Sequence, residues 1–132
     1  MILLDTHVLV WVDQGASQLG PRARRVIEAA YAAEELLVAT ISFWEIGRLA
    51  ARGRLAFEGE LVDWRVSLIN SGFKEVAADG VIALSAAGLR DFEGDAADRL
   101  IAATSVVSEA RLVTADPRFI GFRGIRTINA TT

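Results

Sequence analysis

The sequence predicts an α/β fold, a three-layer sandwich in which a central, mostly parallel sheet is flanked by helices. Two observations carry this. Short apolar runs recur along the chain, and the stretches between them place apolar side chains at helical spacing. Strands buried on both faces read as continuous apolar runs, and the helices connecting them cover those faces.

The elements follow in order. Met1–Leu4 is an apolar run ending at Asp5 and predicts a buried strand. Thr6–Asp13 predicts a short helix, with Asp5 or Thr6 available to cap it. Gly20-Pro21 opens a second helix through about Ala33, with proline near the favoured first position. Leu36–Thr40 is apolar and β-branched, a second strand. Ser42 starts a third helix that ends near Gly53, and Glu45 stands three residues on, a capping-box spacing. Glu60–Asn70 predicts a fourth helix, stopped by Ser71-Gly72, and Phe73–Val76 a third strand. Asp79–Leu89 reads as helix and Phe92–Asp95 as an acidic loop. Ala96–Ala110 is a strong helix, with Leu100, Ile101, Thr104 and Val107 along one face. Arg111–Thr114 predicts a strand running into Asp116-Pro117, Ile125–Ile128 a last strand, and Ala130–Thr132 a frayed tail.

At 132 residues with 52% apolar side chains, one domain over 1–132 is the simplest organisation. No repeat or linker interrupts it. With no cysteine, thiolate chemistry and disulfides are excluded. No apolar run is long enough to span a bilayer and no basic leader opens the chain, so no membrane partner and a cytoplasmic location are expected. The net charge of −3 argues against bulk coating of nucleic acid but not against acting on it, because a carboxylate metal site is acidic by construction. The basic residues are thirteen arginines and one lysine, with clusters at Arg22, Arg24, Arg25 and at Arg48, Arg52, Arg54. These suit phosphate contacts, or form a solvated helix face.

Ligands of open parallel sheets bind beyond the carboxyl ends of the strands. Asp5 ends the first strand, Asp116 follows the strand Arg111–Thr114, Glu45 opens the helix after the second strand, and Asp98 opens the helix before Arg111. Parallel strands would gather these acids at one sheet edge. Two carboxylates about 4 Å apart repel by roughly 4 kcal/mol at an effective dielectric near 20. Such a cluster demands raised pKa values or a divalent cation. Oxygen ligands without a histidine or cysteine shell select Mg²⁺ or Mn²⁺ over zinc, and a carboxylate-held ion that keeps several waters suits phosphodiester hydrolysis. Each acid also has a plain capping role available: Asp5 and Asp116 as N-caps, Glu45 with Ser42, Asp98 with Asp95.

The pattern resembles the PIN-domain nucleases, specifically the VapC toxins of bacterial toxin–antitoxin pairs. The resemblance runs through Leu4-Asp5-Thr6 and Ser42-Phe43-Trp44-Glu45-Ile46, then Arg52-Gly53-Arg54-Leu55. It continues in Asp95-Ala96-Ala97-Asp98-Arg99-Leu100-Ile101-Ala102-Ala103 and Val113-Thr114-Ala115-Asp116, covering essentially the whole chain. It implies a PIN-like fold, a metal-binding quartet of Asp5, Glu45, Asp98 and Asp116, and small hydroxyl positions at Thr6 and Thr114. Asp95 is an extra acid that supports the ligands or caps a helix. The implied activity is Mg²⁺- or Mn²⁺-dependent RNA cleavage, with a homodimer and inhibition by a cognate antitoxin. Ala96 stands where relatives often carry proline, which touches loop rigidity and no ligand.

Arg99 beside Asp98 suits either an RNA phosphate contact or balancing of the acids. His7, the sole histidine, reads as packing or a local hydrogen bond ahead of a general base. Trp11, Trp44 and Trp64 sit at helical positions suited to core or interface packing ahead of base stacking. Apolar sides on the second and fourth helices read as core, with an antitoxin groove between them implied by the resemblance.

Other classes are open to test. A receiver-like signalling module shares the length and an acidic Mg²⁺ pocket, but it needs a lysine after a late strand, and the one lysine is Lys74. A phosphatase of the haloacid dehalogenase type needs an aspartate two residues after Asp5, where His7 stands. A PIN-like module kept for binding without turnover is the remaining alternative.

Overall fold

A computed structural model describes residues 1–132. Its centre is a five-stranded sheet of β1 (Ile2–Leu4), β2 (Leu36–Ala39), β3 (Lys74–Val76), β4 (Arg111–Thr114) and β5 (Thr127–Asn129). The strand order is β3-β2-β1-β4-β5. Every pairing is parallel, so the mostly parallel expectation resolves to wholly parallel. The registers Leu4↔Val38 and Leu4↔Val113 align the ends of the three central strands.

Seven helices connect the strands: α1 (Thr6–Gln14), α2 (Pro21–Ala32), α3 (Thr40–Ala51), α4 (Leu61–Ser71), α5 (Gly80–Ala87), α6 (Ala96–Val107) and α7 (Pro117–Ile120). Alternation along β1 divides the interior. Ile2 and Leu4 pack with Val8, Leu9, Ala23, Ile27 and Ile46, while Leu3 packs on the other face with Ile101, Ala102 and Phe119. The sandwich therefore has α1–α4 on one side and α6 and α7 on the other. Ile82 and Ala86 of α5 lie against Ala103 of α6.

Several boundaries differ from the sequence expectation, each for a local reason. α3 begins at Thr40, with Ala39 as an N-cap whose methyl group makes no capping hydrogen bond. The Ser42–Glu45 capping box therefore does not form: both residues lie inside the helix, and Ser42 is fully buried. α1 continues to Gln14 because Gly15, at φ +63°, supplies its left-handed terminator. α6 stops at Val107, since Glu109 turns the chain at φ +53° ahead of β4. The short α7 is not among the helices expected from the sequence; Asp116 caps it, the plain role open to that residue, and Pro117 starts it. The tail is not frayed. Ala130 is fully buried, the amides of Gly20 and Arg22 donate to the Ala130 and Thr132 carbonyls, and a Cβ on Gly20 would stand 2.3 Å from the Thr132 carbonyl carbon.

Candidate metal and catalytic cleft

With all strands parallel, the chain leaves β1, β2 and β4 at one sheet edge. α6 must descend from that edge to reach the start of β4, so its N-terminus lies there too. These constraints bring Asp5, Glu45, Asp98 and Asp116 to the walls of one cleft of about 250 Å³, with Thr6, His7, Trp11 and Arg54. No three carboxylate or imidazole groups converge at metal-ligand spacing in this conformation.

Asp5 is the best-anchored acid. Its Oδ1 accepts from the Thr6 amide at 2.8 Å, and its Oδ2 accepts from the Thr114 hydroxyl at 2.7 Å. Thr114 Oγ1 in turn accepts from the Asp116 amide at 3.0 Å, so one buried hydroxyl couples two of the acids. Burial raises the Asp5 carboxyl above its ordinary value, although His7 and the Thr114 hydroxyl pull the other way.

Glu45 is half-buried, and its Oε1 accepts from the Thr6 hydroxyl at 2.6 Å; Ser42 Oγ lies 2.9 Å from that same hydroxyl oxygen. Its carboxyl is also raised, by burial first, with Asp5, Asp98 and Asp95 repelling the charged form. Asp98 sits at the third position of α6 and forms a reciprocal capping box with Asp95. Its dull capping role is thus real, yet its carboxyl still lines the cleft. Burial again raises it.

Asp116 differs. It caps α7, and the Arg118 side chain folds back on it, with Nη2 at 2.7 Å from Oδ2 and Nε at 3.2 Å from both oxygens. That guanidinium holds the Asp116 carboxyl below its ordinary range. The same Nη2 lies 3.0 Å from Asp98 Oδ2. The arginine therefore spans both aspartates but favours Asp116, the less buried partner with the more numerous contacts.

Arg118 is the residue that sequence reasoning missed. Its signal is the Asp116-x-Arg118 spacing at a helix start, where the capping acid and the second helical residue fold together. Arg99, assigned to phosphate or to the acids, does neither in this conformation. Its guanidinium donates to the carbonyls of Ala86, Leu89 and Phe92 and closes the loop after α5. His7 accepts the Ala115 amide on Nε2 at 3.1 Å, faces Asp5 Oδ2 through Nδ1 at 3.4 Å, and meets Trp11 edge-on at 5.0 Å. Both ring nitrogens are occupied locally. Trp64 donates to Asp13 and packs edge-on against Phe43, whereas Trp44 is about half exposed beneath Arg48.

The four acids offer oxygen donors, burial holds Asp5, Glu45 and Asp98 back from ionisation, and Arg118 already bridges Asp98 to Asp116. Those are properties of a site suited to a hard divalent cation. Arg48, Arg52 and Arg54 line a recess adjoining the cleft, with Glu45 and Leu49 between them, so one arginine cluster from the sequence does border the acids.

Comparison with known proteins agrees on one family. The PIN domain family model matches residues 2–124. The chain is 35% identical to Ribonuclease VapC22 of Mycobacterium tuberculosis over 127 residues, covering 96% of this chain and 95% of that protein. Among solved structures, VapBC2 of Rickettsia felis bound to a DNA fragment from its promoter superimposes with a TM-score of 0.72 at 16% identity, over 98% of both chains. FitAcB of Neisseria gonorrhoeae gives 0.67 at 20% identity, over 98% of both chains.

Proposed function

The chain belongs to the PIN-domain family, and on that footing we propose that it is a metal-dependent endoribonuclease, the toxin of a toxin–antitoxin pair, acting in the cytoplasm on RNA phosphodiester bonds. The observation that carries the reading is the convergence of Asp5, Glu45, Asp98 and Asp116, from four separate elements, on one cleft at the carboxyl edge of the sheet.

Asp5, Glu45, Asp98 and Asp116 would hold Mg²⁺ or Mn²⁺. The bound ion would polarise the phosphate, activate a water and neutralise the leaving oxygen. The chain's own residues prepare the place. Thr114 and the Thr6 amide fix both oxygens of Asp5, and the Thr6 hydroxyl fixes Glu45. Asp95 holds Asp98 by the reciprocal cap. Arg48, Arg52 and Arg54 give the backbone of an incoming strand a positive border next to the acids.

The relatives' VapBC and FitAB complexes support a cognate antitoxin as partner. α4 exposes Val62 and Val66, and α5 exposes Val81 and Leu84, apolar surface that supports protein contacts such as those of a homodimer or an antitoxin. No helix is long and apolar enough to cross a membrane.

Purified protein free of antitoxin, incubated with a mixed RNA pool, is expected to cleave with Mg²⁺ or Mn²⁺ and to stop with chelator. Asp5→Asn and Asp98→Asn should each lose on the order of a hundredfold or more, since even outer partners of a metal ligand cost about ten- to hundredfold. If both variants cleave as fast as the parent, the assignment is wrong. If no RNA is cut and the aspartates become phosphorylated, a signalling module is the better account.

A further inference from the structure

Arg118 has a distinctive position among the arginines. It projects from a four-residue helix, its side chain is half exposed, and one of its nitrogens lies within 3.0 Å of oxygens from both Asp98 and Asp116. Arg99 is tied to three backbone carbonyls, and Arg54 lines the cleft without an acid partner at ion-pair distance. Arg118 thus fills the space between two of the acids assigned to the metal.

We propose that Arg118 is the resident cation of the acid cleft: it holds Asp98 and Asp116 while no divalent ion is bound, yields them when one enters, and then offers its guanidinium to a phosphate of the nucleic acid at the cleft mouth. The inference rests on the metal-dependent reading of the cleft.

Three observations carry it. The first is competition for the same atoms. Asp98 Oδ2 and Asp116 Oδ2 both lie within 3.0 Å of Arg118 Nη2, so a cation bridging those oxygens must take the place of that nitrogen. The second is charge. Arg118 pairs with two of the four carboxylates and Arg54 lines the cleft without an acid partner, which leaves much of the repulsion in place, whereas a divalent ion supplies twice a guanidinium's charge. Asp5 and Glu45 receive no ion pair from Arg118, so the arginine is a partial substitute. The third is freedom to move. No backbone carbonyl accepts from the Arg118 side chain, and that side chain is half exposed and outside the core clusters, so it can swing toward solvent without breaking core packing. Displaced, a planar guanidinium at the rim of a phosphodiester-binding cleft matches two phosphate oxygens.

The test is calorimetric titration of Mn²⁺ into metal-stripped parent, Arg118→Gln and Arg118→Lys, alongside melting curves with and without the ion. Arg118→Gln should bind Mn²⁺ about fivefold tighter, the scale of a partly exposed ion pair, with Arg118→Lys between it and the parent. Metal-free Arg118→Gln should melt below the parent, and saturating Mn²⁺ should close that gap. At saturating metal, Arg118→Gln should show a raised KM for RNA. Unchanged or weaker Mn²⁺ binding in a folded Arg118→Gln overturns the competition. Tighter binding with an unaltered KM overturns the hand-over to phosphate. If the parent binds no Mn²⁺ and cleaves RNA without it, the metal reading and this inference fall together; if the parent binds and the variants match it, only this inference falls.

Discussion

Thr6 and Thr114 each hold an acid of the cleft through a hydroxyl buried beside it. Thr114 is the more constrained, because it donates to Asp5 and accepts from the Asp116 amide with no exposure to solvent. Thr114→Val keeps the shape and removes both bonds. It should destabilise the fold by about 1–3 kcal/mol by orphaning buried polar groups, and lower Mn²⁺ affinity roughly ten- to hundredfold. Thr114→Ser should restore most of both, as chemical denaturation and titration would register. Glu45→Gln should act in the opposite sense on stability. It retains the acceptor for Thr6 and removes a charge that burial disfavours, so metal-free protein should gain on the order of 1 kcal/mol while cleavage is lost. Metal-free Glu45→Gln melting below the parent would contradict the view of Glu45 as a strained ion. The acids themselves were legible, because each stands where a strand or helix boundary signal also stands. Arg118 was legible only in part: the Asp116-x-Arg118 spacing points to its own cap, but nothing in the sequence says that the side chain also reaches Asp98.

Among the elements, the loop into α6 has little slack. A Cβ on Gly94 would lie 2.8 Å from the Asp98 Cβ and 2.7 Å from the Phe92 ring. Gly94→Ala therefore pushes on the turn that starts α6 and should cost about 1–3 kcal/mol as overpacking does. Because the strain falls on Asp98, cleavage should drop further than stability alone explains, measured at a temperature where the variant is fully folded. The element types followed from the sequence because runs such as Leu36–Ala39 and Leu112-Val113 are apolar through both faces, as central parallel strands must be. Boundaries were harder where tertiary contacts override local preference. Thr40 reads as the end of a strand, yet its hydroxyl reaches Glu75 and the Val76 carbonyl across the sheet, and the helix starts there instead of at Ser42. The tail reads as solvated, yet it lies across Gly20 and satisfies two amides.

Across the whole molecule, the titrating groups divide into two sets with opposite linkage. Asp5, Glu45 and Asp98 are raised from ordinary values of 3.8, 4.5 and 3.8, so the folded chain holds their protons more tightly than the unfolded one. Their contribution falls as pH climbs from those values through the raised ones. Glu75, paired with Arg65 at 2.6 Å, and Asp116, paired with Arg118, are lowered from 4.5 and 3.8. Their contribution is present above those values and is lost as pH falls through the lowered ones. Metal-free protein should therefore be most stable at mildly acidic pH, between the two windows, in urea melts from pH 3 to pH 8 (roughly the span of carboxylate titration). Saturating Mn²⁺ should move that maximum toward neutrality; a profile that climbs steadily to pH 8 without metal would refute the strained-acid account.

The sheet order has a further consequence, in time. β1 is made first but lies between β2 and β4, and Asp5 receives its buried hydroxyl from a residue 109 positions later. A chain emerging from the ribosome carries Asp5 and Glu45 long before Asp98, Thr114 and Asp116 exist to join them. The cleft therefore cannot assemble until synthesis has passed Asp116, so the four acids stay apart for most of the time the chain is being made.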